Sequence, residues 1–420
     1  MVIIMPIKWK DKVKPDHVIN RISAKRTFHD DGRVSYAGLV VDECMPVLHS
    51  MLNFPAATAE IDIDTLVWRA LNRAGRELTS SNFLIAANKE LDASLAKAQV
   101  NYLVLTSLSL SAVSNTMRSI DLLDCKIKFL KGDFPSKFKK HRNKIIEDDH
   151  VDIKNTPNDY CKIIVEVSAK SPSAAFNKAI RSIDVLRALM CLMSNSEMQI
   201  TFGSKSQEAI NKIRLGGNHT VHLESGESAY NGYWYEPEYR PAKIYYSKNP
   251  EARSRKLRSL VNKIKKSNFL KNITSSLLLY VRGFDLTDHN VAFLKVWSAL
   301  EMLTTPNIAD YDKLIRRTVF LFDEKEYNQQ VLGHLRNYRN SHVHAGEESE
   351  NAKIHCYQLQ KFYRLIVWFY IGNGDFFKNL DEIGSFLDLP YTEVELEAER
   401  KKISRAIRLI KGEGIYVSRK

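Results

Sequence analysis

The chain has 420 residues, 44% of them apolar and 26% charged, which excludes a disordered protein and suits a globular one of about two domains. Its formal charge of +13 favours an anionic partner, nucleic acid ahead of a membrane surface. Cys44, Cys125, Cys161, Cys191 and Cys356 are scattered and never form a Cys-x-x-Cys pair. That argues against a disulfide framework or a structural zinc site and points to reduced thiols in a cytoplasmic compartment.

Met1–Met5 is too short for the core of a signal peptide, and the later apolar run Leu365–Gly372 is far below membrane-spanning length. A soluble protein without a membrane partner is expected. Residues 1–55 offer only short alternations and turns such as Asp30-Asp31-Gly32. Asp64 or Thr65 then suits the cap of a helix carrying Val67, Leu71, Ala74 and Leu78 on one face. Ser80 or Ser81 starts a second, with Leu84, Ala87, Leu91 and Leu95 aligned. Tyr102–Leu110 reads as a strand, and Cys125–Phe129 alternates as a half-buried strand does. Between Asp133 and Asp149 the density of charge reads as a loop. Tyr160–Ser168 is a further strand, and Ser171-Pro172 opens a long helix whose buried stripe is Phe176, Ile180, Ile183 and Met190. Met198, Ile200 and Phe202 alternate as a strand would.

Ser247–Glu251 reads as a linker. Beyond it the pattern predicts helices near 253–268, 272–282, 288–304, 309–323, 325–343 and 350–371. The expected fold class is α+β. A mixed α/β region over 1–245, with a possible sensing or regulatory role, is followed by a linker at 246–254, an all-α bundle at 255–380 and a helical tail at 381–420.

The most informative stretch is Arg339-Asn340-Ser341-His342-Val343-His344-Ala345-Gly346, between two helical segments. Leu332, Leu335, Tyr338 and His342 share a face upstream, and Gly346 suits the left-handed residue that ends a helix. Ser349 can cap the next helix, which runs through Leu359, Phe362, Leu365 and Ile366. An Arg and a His five apart arise about once by chance in such a chain; Asn directly after the Arg lowers this to roughly one in twenty. Farther upstream, Phe293–Glu301 contains Trp297-Ser298-Ala299-Leu300-Glu301.

With these two segments the chain resembles the HEPN superfamily of RNases and RNA-binding helical domains, and in particular the Apea-like HEPN proteins. The likeness covers about residues 255–375, with a weaker one over 160–193. It implies an all-α nuclease domain behind a larger N-terminal region, and a homodimer that faces motif against motif. It implies that Glu301 is a polar residue near the active centre, bracing Arg339. It also implies a toxin-type role in antiviral defence, in which RNA cleavage halts growth. By that analogy the N-terminal region senses a phage-derived or nucleic-acid trigger, or restrains the nuclease.

The residue types in the motif suit RNA transesterification. An imidazole with an ordinary pKa near 6.5 can act as base or acid at neutral pH, so His344 can take the 2′-OH proton or supply one to the leaving 5′-oxygen. Arg339 offers a planar, permanently charged fork to the phosphorane oxygens. Asn340 can orient the imidazole or hold a phosphate oxygen. No cofactor is required. His342 and His344 would diverge by about 200° on a helix and lack a third ligand, so no metal site is expected. One His cannot serve as base and acid in a single step, which independently favours a second copy of the site.

Each of these residues also has a plain structural reading. His344 could cap helix carbonyls, Glu301 could belong with Lys295 and Ser298 to a water-facing stripe, and Arg336 could be a solvated charge with a second, Asn-less pairing to His342. Arg336 and two basic clusters could hold RNA phosphates or simply face water: one cluster with Lys139, Lys140 and Arg142, the other with Arg255, Lys256 and Arg258.

Overall fold

The computed structural model describes residues 5–55, 57–58, 61–113, 115–147, 156–199, 207–236, 239–306 and 310–411. The chain forms two compact units, each assembled from separate segments. The first takes Met1–Leu108, Met117–Ser182 and Leu215–Pro241, and the second Ser109–Thr116, Ile183–Arg214 and Ala242–Lys420.

The first unit opens with β1 (Lys8–Trp9), α1 (Pro15–Ser23), β2 (Arg26–Phe28), β3 (Val34–Tyr36), α2 (Val40–Met51) and β4 (Leu52–Asn53). The sequence predicted none of the helical structure here. The pattern of α1 is only nine residues long, and α2 carries Pro46 in its interior, an ordinary breaker signal. Helices α3 (Ile63–Arg73) and α4 (Ser80–Leu95) follow. Their caps are Asp62, which accepts from the Thr65 amide, and Thr79, which accepts from the Asn82 amide, each slightly upstream of the expected residue. Leu66, Leu71, Phe83 and Leu91 join Ile19, Leu48 and Leu52 in one apolar core.

Six strands then make a sheet: β5 (Val100–Ser111), β6 (Ser119–Leu122), β7 (Cys125–Phe129), β8 (Tyr160–Ala169), β9 (Asn218–His222) and β10 (Trp234–Tyr235). Their spatial order is β10-β9-β5-β8-β7-β6. From Tyr102 onward β5 is buried at every position, as a central strand covered on both faces must be, whereas β7 alternates. β6 and β7 are antiparallel, with Leu122 opposite Cys125. Leu123 and Asp124 between them both have positive φ, 47° and 59°, the two-residue turn that matches strand twist. The expected loop between Asp133 and Asp149 is instead largely helix α5 (Ser136–Glu147). Only Phe138 of α5 is buried, so its apolar period is too weak to read against seven charged or basic neighbours. Helix α6 (Pro172–Ser194) starts as expected. Of the alternating residues after it, Met198 lies outside any strand, and Ile200 and Phe202 fall outside the described residues.

The second unit is helical in its long C-terminal part, as predicted: α7 (Pro250–Lys266), α8 (Leu270–Gly283), α9 (His289–Thr304), α10 (Tyr311–Val319), α11 (Lys325–Ala345), α12 (Ala352–Gly372), α13 (Leu380–Leu387) and α14 (Glu393–Ile410). Apolar residues of α8, α9 and α12, among them Leu277, Trp297, Leu300 and Phe362, fill its centre. The middle segment of the chain is tied in by polar groups. Arg187, fully buried, donates to Asp184 at 2.8 Å and to both carboxylate oxygens of Asp285 at 2.8 and 2.7 Å. Arg282 donates to the other oxygen of Asp184. Asn195 donates to Asn211 and Gln360, at 3.0 and 3.1 Å. Such a network is tolerated inside because every charge meets an opposite one with hydrogen-bond geometry. Near the C-terminus Arg317 forms a two-pronged pair with Asp388, and a Cβ at Gly384 would stand 2.7 Å from that guanidinium. A side chain at 384 would have to push that guanidinium aside.

Candidate active site

Helix α11 carries the motif on its last two turns and stops where the sequence indicates. Gly346 adopts φ 67°, and its amide donates to the His342 carbonyl at 3.1 Å. Leu332 and Leu335 are fully buried, fixing the rotation of the helix. Arg339 is half-buried. Its guanidinium carbon lies 5.0 Å from the centroid of the Tyr311 ring, and Nη1 donates to Asn340 Oδ1 at 3.3 Å. The two motif neighbours therefore touch, and the aromatic face restricts the cation.

Glu301, on α9, is half-buried, while Lys295 and Ser298 of the same stripe face water. Its carboxylate accepts the Trp297 indole N–H at 3.0 Å. Burial raises the pKa of Glu301, against the opposing effects of that hydrogen bond and of the Arg339 charge. Glu301 thus sits within the electrostatic reach of Arg339, although among the described residues Arg339 donates to Asn340 and not to Glu301. Trp297 and Tyr311 complete the surroundings. Trp297 belongs to the Trp297–Glu301 segment that the sequence singles out; Tyr311 carried no sequence signal.

His344 is exposed and has no polar partner among the described residues. Five residues along an α-helix correspond to about 140° of rotation, so Arg339 and His344 leave α11 in different directions. One protomer therefore does not bring the pair together. The turn after His344 is held firmly. Asn290 Oδ1 accepts from the Tyr338 hydroxyl at 2.5 Å and from the Ser349 amide at 3.0 Å. His342 Nδ1 donates to the Glu347 carbonyl at 2.8 Å, which uses that imidazole locally. Ser349 accepts from the Asn351 amide at 3.1 Å, supporting the start of α12 from two residues before its N-cap.

Arg336 points to a different place. It pairs with Asp312 at 2.6 Å at a cleft of about 770 Å³ that also takes in Lys313, Arg316, Gln329, Gln330 and Tyr391. The two basic clusters differ. Lys140 is exposed and Lys139 is paired with Asp133 at 2.6 Å, but Arg142 turns to the sheet, donating to Thr220 Oγ1 at 2.7 Å and the Asn218 carbonyl at 2.9 Å. Arg142 is a structural tie of its unit. On α7, by contrast, Arg255, Lys256 and Arg258 are exposed together with Lys263, Lys265 and Lys266, opposite the buried Leu257, Val261 and Ile264.

Among the described residues no three His, Cys, Asp or Glu side chains gather as a metal site requires, and no helix is long and apolar enough to cross a membrane. Comparison with family models, with curated proteins and with solved structures gave no match for this chain.

Proposed function

We propose that the chain is a metal-independent endoribonuclease of HEPN type, in which Arg339, Asn340 and His344 cleave RNA through attack of the 2′-OH on the adjacent phosphate. The observation that carries this reading is the contrast at the end of α11: a guanidinium restrained by Tyr311 beside Glu301, and an imidazole free in solvent one turn later. The first can stabilise a crowded phosphorane and the second can move protons. Since the two diverge on one helix, the working site combines Arg339 with His344 of a second copy across a two-fold axis, which also supplies separate base and acid. The exposed cations of α7 would track the RNA backbone. An effector role in antiviral defence, with the first unit responding to a trigger, follows from the resemblance alone.

The divergence of Arg339 and His344 also favours a second reading, a non-catalytic RNA-binding or dimerisation module. Incubation of structured RNA with the full chain in EDTA separates the two. The nuclease reading expects cleavage by wild type and a loss of about 10²-fold or more in Arg339→Ala and His344→Ala. RNA that binds but stays intact supports the binding module instead.

A further inference from the structure

Helix α14 buries none of its side chains, yet its sequence is not that of a helix made for water. Leu396, Ile403, Ile407 and Ile410 are 37%, 57%, 48% and 86% exposed. At 100° per residue these four fall within about 60° of the helix surface, a narrow apolar stripe along about 21 Å of length. Thr392 caps the helix by accepting from the Glu395 amide, so its start is defined. Leaving such a stripe in water forgoes the burial that normally stabilises an amphipathic helix.

The charges on α14 are segregated. Glu393, Glu395, Glu397 and Glu399 occupy its first half; Arg400, Lys401, Lys402, Arg405 and Arg408 occupy the second. Two neighbouring pairs are internal, Glu397 with Arg400 and Glu399 with Lys402, both at 2.7 Å and both well exposed. Such surface pairs are weak and leave the polarity of the helix available to a partner. A second identical helix laid antiparallel would set its basic half against this acidic half, at both ends at once. A parallel copy would set like charge on like. An anionic lipid surface would attract only the second half and repel the first.

We propose that α14 pairs antiparallel with α14 of a second copy of this chain, burying Leu396, Ile403, Ile407 and Ile410 across a two-fold axis. The interface is isologous, with the axis near the reversal of charge, so Leu396 of one copy faces Ile407 of the other. This pairing does not depend on the nuclease reading.

The test uses the full chain and reads mass and cross-linking, not RNA cleavage. Sedimentation velocity over a concentration series should show a dimer whose dissociation constant rises tenfold or more in Ile403→Glu/Ile407→Glu, with an unchanged circular dichroism spectrum. Orientation is read by oxidising an equimolar mixture of Leu396→Cys and Ile407→Cys chains, since all five native cysteines are buried. Cross-links between the two kinds of chain should exceed self-links of the Leu396→Cys chain. A monomer at every concentration, an unchanged dissociation constant in the double variant, or an excess of Leu396→Cys self-links overturns the proposal. So does a chain that stays monomeric but sediments with vesicles of phosphatidylserine and phosphatidylcholine, which would make lipid the occupant.

Discussion

His222 gives the first unit a built-in sensitivity to acid. It is fully buried on β9, where its Nε2 lies 2.9 Å from Thr220 Oγ1 and its Nδ1 lies 3.0 Å from the Gly226 carbonyl. Because Thr220 Oγ1 already accepts from Arg142, the hydroxyl proton is left to go to Nε2, and Nδ1–H donates to Gly226. That neutral ring has no site for a second proton. Burial first, and then the nearby charges of Arg142 and His141, lower its pKa from 6.5 to about 4. Below pH 6.5 the unfolded chain takes up a proton that the folded unit refuses until about pH 4, so stability present at neutral pH is lost across that window. At 1.36 kcal/mol per pH unit the full loss is about 3 kcal/mol, with about 2 kcal/mol gone by pH 5. Urea unfolding followed by circular dichroism between pH 7.5 and 5 measures it. His222→Asn, which keeps a donor near Gly226, should start less stable at pH 7.5 but lose about 2 kcal/mol less on acidification. Parallel pH profiles for the two proteins would refute the reasoning.

Two further outcomes follow from the placement of other residues. Glu301→Gln keeps an acceptor for the Trp297 indole and removes a carboxylate that the fold disfavours. The raised folded-state pKa means that the ionised form costs stability above the window and nothing below the unfolded value, so the variant should melt higher at pH 7.5 and converge with wild type toward pH 4. If Glu301 also holds Arg339 for the phosphate, cleavage should fall about tenfold despite the higher melting temperature; full activity would reduce Glu301 to a structural residue. Replacing Arg255, Lys256 and Arg258 together by Gln should lower the slope of log affinity against log salt for single-stranded RNA by about 2, whereas Arg142→Gln should weaken the fold and leave that slope alone. Equal salt slopes in wild type and the triple variant would remove α7 from the RNA path.

The α+β class, the C-terminal helices and the end of α11 were legible in the sequence because long apolar periods and one glycine announce them. Helix α5 was not, since a helix that buries little but Phe138 looks like a charged loop. Strand β9 is hidden for the opposite reason: Asn218, His219, Thr220 and His222 are polar yet buried, and His219 and Thr220 meet partners distant in sequence, Thr106 and Arg142. In the candidate site, the bracing bond from Glu301 to Arg339 that the resemblance implies is not among the bonds of the described residues, where Arg339 donates to Asn340, and the divergence of Arg339 from His344 follows once α11 is known to run to Ala345. The ring of Tyr311 beneath Arg339 and the grip of Asn290 on the following turn depend on packing between helices, which no local pattern records.

The tie around Arg187 bears on how the molecule is made. Asp184 and Arg187 leave the ribosome nearly a hundred residues before Arg282 and Asp285, so the helical unit cannot close until a middle stretch of nascent chain has waited for its partners. Truncation at residue 246 would strand the largely enclosed Asp285 without its counter-charge, a penalty of about 3–5 kcal/mol. A gene fragment encoding only the C-terminal helices would therefore yield a poorly folding product, and separating them from the upstream sequence is no simple matter of cutting at a linker.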